Sequence, residues 1–162
     1  MSISKVREYL KQFQMENKII EFDTSSATVE LAANAVGCLP CRIAKTLSFM
    51  VAEKAILIVA PGDVKIDNQK FKQQFQTKAK MLSQQQVENL VGHMVGGVCP
   101  FAIKDGVEVF LDISLKRFET VFPACGSSNS AIELSIPELE KLCQNSTWVD
   151  VCKMVEWQKI WV

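Results

Sequence analysis

A lysine at the start of an apolar strand is the first residue whose position suggests chemistry. Lys45 opens the run KTLSFMV, and the alternation of side chains along a strand places it in one row with Leu47, Phe49 and Val51. Burial of an ammonium group without partners is unfavourable by several kcal/mol. Lys45 therefore either reaches solvent through its flexible stem or lines a cleft at the end of the strand.

A glycine-rich loop provides backbone amides that a ligand can approach. The segment from Gly92 to Pro100 contains three of the chain's seven glycines within six positions, next to the single histidine, His93. Amide donors fixed in such a turn can stabilise an oxyanion, although many glycine turns are purely structural. The segment matches neither the dinucleotide-binding G-x-G-x-x-G pattern nor the P-loop pattern.

A second polar loop, GSSNS, leads from Gly126 to Ser130 into a predicted strand. Its hydroxyl groups are suited to bind an amine or a ribose, and a plain turn is the alternative. A serine nucleophile is disfavoured because the G-x-S-x-G pattern is absent and His93 lies in the other loop, without an evident acid to orient it. Hydrolysis at this site would therefore activate water in another way.

Six cysteines raise the question of redox or metal chemistry. Cys38 and Cys41 form a C-x-x-C pair, but they follow Gly37, which we expect to end a helix, whereas thioredoxin-like pairs begin one. Cys99 and Cys125 each stand alone in the sequence, so a zinc site is disfavoured. We expect reduced cysteines, no metal and no cofactor.

Composition and charge limit the classes of partner. The 162 residues are 48% hydrophobic and 22% charged with zero net charge, which favours one folded domain without a general attraction to nucleic acid. No apolar run approaches the roughly 20 residues of a membrane-spanning helix, and the N-terminus lacks a signal-peptide core. We expect a cytoplasmic protein that binds neither membrane nor DNA. Phosphate contacts would come from local cations, namely Arg42, Lys45, Lys116 and Arg117.

Hydrophobic periodicity and capping signals predict alternating helices and strands. Two apolar runs on either side of Ala52 to Lys54 have hairpin spacing, and Ser83 and Ser135 begin capping-box patterns. Helices are predicted over 2–15, 28–36, 67–75, 83–92 and 135–143, a helical turn over 114–120, and strands over 19–22, 45–51, 55–61, 107–113 and 131–134. The predicted class is α+β, a compact, mixed and mainly antiparallel sheet covered by helices. The tail, residues 147–162, contains all three tryptophans and is left open between a docked helix, a strand and a partner-binding segment.

Several motifs occur together in the order that is typical of one known family. The runs TVELAANAVG (28–37), RIAKTLSF (42–49), GGVCPF (96–101) and GSSNSAIEL (126–134) resemble the YbaK and prolyl-tRNA-synthetase-associated editing-domain family. The resemblance covers about residues 2–143 and implies one compact mixed-sheet α/β domain, which we place at residues 1–146. Members are free-standing deacylases or domains inserted in prolyl-tRNA synthetases, and this chain looks like the free-standing form.

The resemblance also implies an activity and a set of site residues. Lys45 corresponds to the essential lysine, and the loop that binds the substrate carbonyl corresponds to Gly96, Gly97, Val98, Cys99 and Pro100. We assign substrate binding to Thr46, Arg42, His93, Asp112, Gly126, Ser127, Ser128, Asn129 and Ser130. The expected activity is hydrolysis of mischarged aminoacyl-tRNA, chiefly tRNA-Pro that carries a small non-cognate amino acid, with contacts at the acceptor end. A non-catalytic tRNA-binding or protein-binding module is the alternative, and a transient association with a tRNA synthetase is left open.

Overall fold

The predicted hairpin forms the centre of the fold. In the computed structural model, which describes residues 2–155, strands Ile43–Val51 (β2) and Lys54–Pro61 (β3) pair antiparallel, with Lys45 opposite Ala60. The two turn residues between them, Ala52 and Glu53, both have positive φ, as in the tight turns that suit twisted strands. The hairpin prediction is confirmed.

A six-stranded mixed sheet is built around this hairpin. The other strands are Ile20–Glu21 (β1), Val64–Ile66 (β4), Glu108–Asp112 (β5), Thr120–Pro123 (β6), Ser130–Ala131 (β7), Leu134–Ser135 (β8), Thr147–Val149 (β9) and Cys152–Met154 (β10). The strand order in the sheet is β8-β6-β2-β3-β5-β9, and two short antiparallel pairs, β1 with β7 and β4 with β10, lie outside it. The pairs β2–β6, β3–β5 and β5–β9 are parallel, whereas β2–β3 and β6–β8 are antiparallel. The α+β class is confirmed.

Local capping interactions define most of the helix ends. Helix α2 begins after Thr28, whose side chain accepts a hydrogen bond from Leu31 N, and ends at Gly37 with φ of 85°. Both predicted capping boxes are present, at Ser83 and Ser135. The helices are Ser2–Lys11 (α1), Val29–Val36 (α2), Asn68–Phe75 (α3), Gln84–Gln86 (α4), which continues as a π-helical turn over Val87–Val91, and Ile136–Leu142 (α5), with short 3-10 turns at Glu16–Lys18, Pro40–Arg42 and Ile113–Arg117.

Several short strands were not predicted from the sequence. Strand β6 occupies a segment without apolar alternation, and the predicted strand over 131–134 is divided between β7 and β8. Within the tail that was left open, β9 and β10 are strands that pair with β5 and β4. Trp157 and Trp161 lie outside the described residues.

The sheet has an apolar core on each face. Along β3, Leu57 and Val59 belong to a cluster with α1 and α5, whereas Ile56 and Ile58 belong to a cluster with Phe71 of α3. Burial on both faces explains why β3 is apolar along nearly its whole length. Helix α2 packs through Ala32 and Ala33 on Ile43 of β2. None of the helices within residues 2–155 is both long and apolar enough to cross a membrane.

One ion pair between a half-exposed arginine and a buried aspartate joins the turn after β3 to the turn after β5. Arg117 Nη2 and Nη1 donate to Asp63 at 2.6 and 3.0 Å, and the Asp63 side chain is only 4% exposed. A carboxylate that is buried in this way depends on its partner, because removal of one charge leaves the other desolvated and unpaired.

We therefore expect Arg117→Met to lower the free energy of unfolding by about 2 kcal/mol. Lys116→Met is the matched control. The Lys116 ammonium lies over the Trp148 ring, 4.4 Å from its centroid, whereas the buried carboxylate of Asp63 pairs with Arg117. We expect a loss of at most about 1 kcal/mol for this control. Urea unfolding of both variants measures the difference, and equal losses would contradict the importance of the Asp63 pair.

Candidate functional site

A cleft of about 540 Å³ opens where β2 lacks a neighbouring strand. Strand β6 pairs with β2 only at Ile43 and Ala44. Further along the same edge, Leu82 N donates to Ser48 O at 3.2 Å and Met50 N donates to Lys80 O at 2.9 Å. Among the described residues, no strand pairs with residues 45–47 on this edge, and the cleft occupies the gap.

The gap leaves backbone groups of Thr46 facing the cleft. Ser48 O and Met50 N both point towards this edge, because they bond to the segment that contains Lys80 and Leu82. Backbone groups alternate between the two edges of a strand, so the N–H and C=O of Thr46 point to the same side. The sheet therefore presents one donor and one acceptor in fixed positions.

Lys45 lines the same cleft, and its side chain is half-buried. Its Nζ donates a hydrogen bond to Val64 O, which anchors the ammonium group at the start of β4. Burial lowers the pKa of Lys45, and the nearby Asp63 and Glu30 act in the opposite direction. An ammonium group has three donors, so two remain after the bond to Val64.

The glycine loop forms the opposite wall through fewer residues than predicted. Gly96 lies on the cleft with φ of 98°, and Val98 also lines it. The amide of Gly97 donates to Met94 O at 3.1 Å and is therefore occupied. A Cβ at Gly97 would lie 2.6 Å from Ser127 N, so only glycine allows this close approach of the two loops. Cys99 and Pro100 are buried behind the wall.

The polar loop 126–130 contributes Ser130 to the cleft. Ser130 Oγ lies 2.7 Å from Ser127 Oγ, which is also 2.9 Å from Asn129 Oδ1. Gly126, Ser127, Ser128 and Asn129 line an adjoining cavity of about 490 Å³ instead. The predicted loop residues are thus divided between two neighbouring spaces.

A third segment, residues 22–28, closes the side of the cleft. Phe22 N donates to Asn129 O at 2.8 Å, and Ser26 N donates to Ser128 O at 2.6 Å. These bonds place the Ser26 side chain, which is 7% exposed, on the cleft wall. The sequence analysis did not select Ser26, because in the sequence it is one of several small polar residues before a helix.

The chain is similar in sequence to proteins of a known family. Residues 23–142 match the family model of the aminoacyl-tRNA editing domain. The chain belongs to this family. It is 54% identical over 159 residues to an uncharacterized protein, YwhH, of Bacillus subtilis strain 168, covering 98% of this chain and 100% of that protein.

Two solved structures resemble the fold of this chain and agree with its membership of the editing-domain family. A protein described as a proposed trans-editing enzyme for prolyl-tRNA synthetase has a TM-score of 0.84 and 25% identity, covering 94% of this chain and 97% of that one. A second structure, described as a hypothetical protein, has a TM-score of 0.81 and 25% identity, covering 92% and 99% of the two chains. The family resemblance predicted from the motifs is confirmed.

Three of the residues assigned to substrate binding line neither the cleft nor the adjoining cavity. Arg42 pairs with Glu133 at 3.1 Å and lies over the Phe122 ring, 5.1 Å from its centroid. His93 is 1% exposed, and its Nε2 lies 2.8 Å from Phe101 O.

Asp112, also 1% exposed, accepts hydrogen bonds from Ser114 N and Val151 N. The structure thus places Arg42, His93 and Asp112 away from both cavities, each with partners inside the protein.

The cysteines of the editing domain lie in surroundings that suppress thiolate formation. Burial raises the pKa of both Cys38 and Cys41, the opposite of what a redox pair needs. Burial also raises the pKa of Cys99 to about 12. Residues 2–155 contain no group of three or more His, Cys, Asp or Glu side chains placed to hold a metal ion.

We expect only Cys38 and Cys41 to react with a thiol reagent in the folded protein, because the other four cysteines are buried. Their raised pKa values mean that the thiolate fraction at pH 8 is smaller than in a free thiol, so labelling is slower and accelerates as the pH rises. Labelling with dithionitrobenzoate at pH 7 to 9, with and without denaturant, measures both effects. Labelling of Cys38 or Cys41 faster than that of free cysteine at pH 7 would contradict this expectation.

Proposed function

We propose that the protein hydrolyses the ester bond of mischarged aminoacyl-tRNA in trans, in the cytoplasm. The leading substrate is tRNA-Pro that carries a small non-cognate amino acid. The observation that carries the proposal is the gap in the sheet edge, where the Lys45 side chain, the backbone of Thr46 and the Gly96 turn line one cleft. Membership of the editing family and the likeness to a proposed trans-editing enzyme support it.

The cleft groups match the needs of ester hydrolysis. Water adds to the ester carbonyl carbon, and the bond from that carbon to the ribose oxygen breaks, which releases the amino acid and a tRNA with a free ribose hydroxyl. The proton of the water passes to the ribose oxygen. In this proposal the backbone amide of Thr46, which faces the gap, stabilises the negative charge that develops on the carbonyl oxygen, and the Gly96 turn lines the same cleft.

Water is the nucleophile in this proposal, and the neighbouring ribose hydroxyl of the substrate assists it. The cleft serines are Ser26, Ser48 and Ser130, whereas His93 lies in the core beside Phe101. A serine nucleophile requires a base within hydrogen-bond reach. Within residues 2–155, none of these three cleft serines forms a hydrogen bond to a basic side chain.

Lys45 orients the substrate and does not attack it. The anchor at Val64 O fixes its ammonium group, and the two remaining donors can bind the ester oxygen or the phosphate of the terminal nucleotide. Editing of this kind is needed because a synthetase pocket rejects a smaller amino acid by only about 1–3 kcal/mol per methylene group.

The activity itself is tested by a deacylation panel. One tRNA-Pro transcript is charged with alanine, serine, cysteine, threonine or proline, and the decay of each ester is followed under single-turnover conditions. We expect faster hydrolysis of at least one non-cognate ester than of prolyl-tRNA. Retention of every ester with the enzyme in excess would reject the proposal and favour the non-catalytic binding module.

Replacement of Lys45 tests its role. We expect Lys45→Ala to lower the single-turnover rate at least about tenfold, equivalent to roughly 1.4 kcal/mol, because the orienting charge is lost. The thermal midpoint should stay near that of the parent, since burial already disfavours the charged form of Lys45. Lys54→Ala is the control, as Lys54 is an exposed lysine at the other end of the same hairpin. An unchanged rate for Lys45→Ala would exclude the orienting role.

A further inference from the structure

Residues 65–80 form a basic segment in a chain that has no net charge. Five of the chain's 18 lysine and arginine residues fall within this segment, whereas only one of its 18 acidic residues does so. The acid is Asp67, whose carboxylate already accepts hydrogen bonds from two amides in the first turn of α3. The five cations are Lys65, Lys70, Lys72, Lys78 and Lys80. Positive charge is thus concentrated in one part of the molecule.

Most of these lysines have no ion-pair partner. Lys70 pairs with Asp150 at 3.0 Å. The other four are exposed and form no ion pair within residues 2–155. By contrast, Arg7, Arg42 and Arg117 each pair with a carboxylate. A surface that serves only to keep a protein soluble mixes charges of both signs, so an unpaired group of one sign indicates an anionic partner.

Packing turns the lysines of the basic segment towards solvent. Its apolar residues belong to the core cluster that also contains Leu47 and Phe49 of β2, and they are Ile66, Phe71, Phe75 and Ala79. The Phe71 side chain is fully buried, and its ring centroid lies 5.1 Å from that of Phe49. The segment therefore covers one face of the sheet with its apolar side and presents lysine and glutamine on the other.

Both ends of the basic segment meet the cleft. Immediately before it, Val64 O accepts the hydrogen bond from Lys45 Nζ, and immediately after it, Met81 lines the cleft. Lys45 lies in the same strand row as Leu47 and Phe49, so its side chain points to the face that the segment covers. A long polyanion whose end enters the cleft therefore has the lysines beside its path.

A sixth lysine lies next to the segment. Lys153 of β10 is directly opposite Lys65 of β4, and both side chains are exposed. Like charges that are directly opposite destabilise a pair of strands. An anion bound between the two ammonium groups would remove that repulsion.

We propose that the basic segment and Lys153 bind the phosphate backbone of the tRNA acceptor stem. This inference rests on the proposed function, because the aminoacyl end of the same tRNA must enter the cleft. Lysine is a flexible point charge that contacts phosphate without reading the base sequence. The surface therefore positions the stem and raises affinity for any acceptor sequence. Each phosphate contact releases counterions, so binding weakens as the salt concentration rises.

Binding of an RNA stem-loop that copies the acceptor stem of tRNA-Pro tests this surface. The test variant combines Lys72→Gln, Lys78→Gln and Lys80→Gln. The control variant makes the same change in net charge at three exposed lysines in or next to α1 and α5, which pack on the other face of the sheet. It combines Lys11→Gln, Lys18→Gln and Lys141→Gln.

We expect the test variant to bind the stem-loop at least about tenfold more weakly at low salt. The slope of log K against log salt concentration should fall in magnitude by about 2 to 3, because three phosphate contacts are lost. The control variant should bind within about threefold of the parent and keep its slope. Equal weakening in both variants would overturn the proposal, since only net charge would then matter.

Hydrolysis of two substrates of different length gives a second measurement. In the test variant, kcat/KM for the aminoacylated stem-loop should fall at least about tenfold relative to that for aminoacyl-adenosine, which has no stem. An equal loss for the two substrates would contradict a role in binding the stem.

The remaining outcomes separate this inference from the proposed function. If no ester is hydrolysed, the proposed function fails, and the salt-dependent binding of the unacylated stem-loop alone decides the inference. Vesicles of phosphatidylserine and phosphatidylcholine serve as a competing polyanion. Tighter binding to these vesicles than to the stem-loop, lost in the test variant, would assign the lysines to a membrane surface and overturn the proposal.

Discussion

The register of β2 against β3 controls the geometry of the cleft. Because Lys45 lies opposite Ala60, the odd-numbered residues of β2 direct their backbone groups to β3 and the even-numbered ones to the open edge. A slip by one residue would turn the Lys45 side chain to the other face and withdraw the Thr46 amide from the gap. The turn at Ala52 and Glu53, and the two apolar faces, hold this register.

Three loops that are distant in the sequence meet over the gap through their backbones. Ser26 N binds Ser128 O, and Gly97 approaches the backbone of Gly126 and Ser127 so closely that a methyl group would not fit. Backbone contacts as close as these require residues without a large side chain. The clustering of glycine and serine in the two loops has this physical cause.

The sequence predicted those features that depend on near neighbours along the chain. The hairpin, the capping boxes at Ser83 and Ser135, and the helix end at Gly37 follow from alternation and from hydrogen bonds within a few residues. The row of Lys45 followed from the same alternation. Strand β6 was missed because its partners are distant, and four residues carry too little periodicity to indicate a strand.

Site residues were harder to predict where burial decides the role. Asp112 looked available for a substrate, but it satisfies the amides of Ser114 and Val151, which no local pattern shows. In the sequence, His93 lies next to a glycine-rich turn of the kind that binds ligands, yet in the structure it is buried in the core. Ser26 is the converse case, a residue that lines the cleft but was not predicted. It reaches the cleft only through the hydrogen bonds between loops 22–28 and 126–130.

The position of the Lys45 ammonium group depends on a strand outside the residues that match the family model. Val64, whose carbonyl binds the ammonium group, belongs to β4, and β4 is held by pairing with β10, where Val64 lies opposite Met154. The family match ends at residue 142, so β10 lies outside it. An excised piece cut to the matched residues would keep the lysine and lose the strand that steadies its partner. Strand β10 therefore supports the end of the sheet that holds Lys45, and relatives without a matching strand need another element in that role.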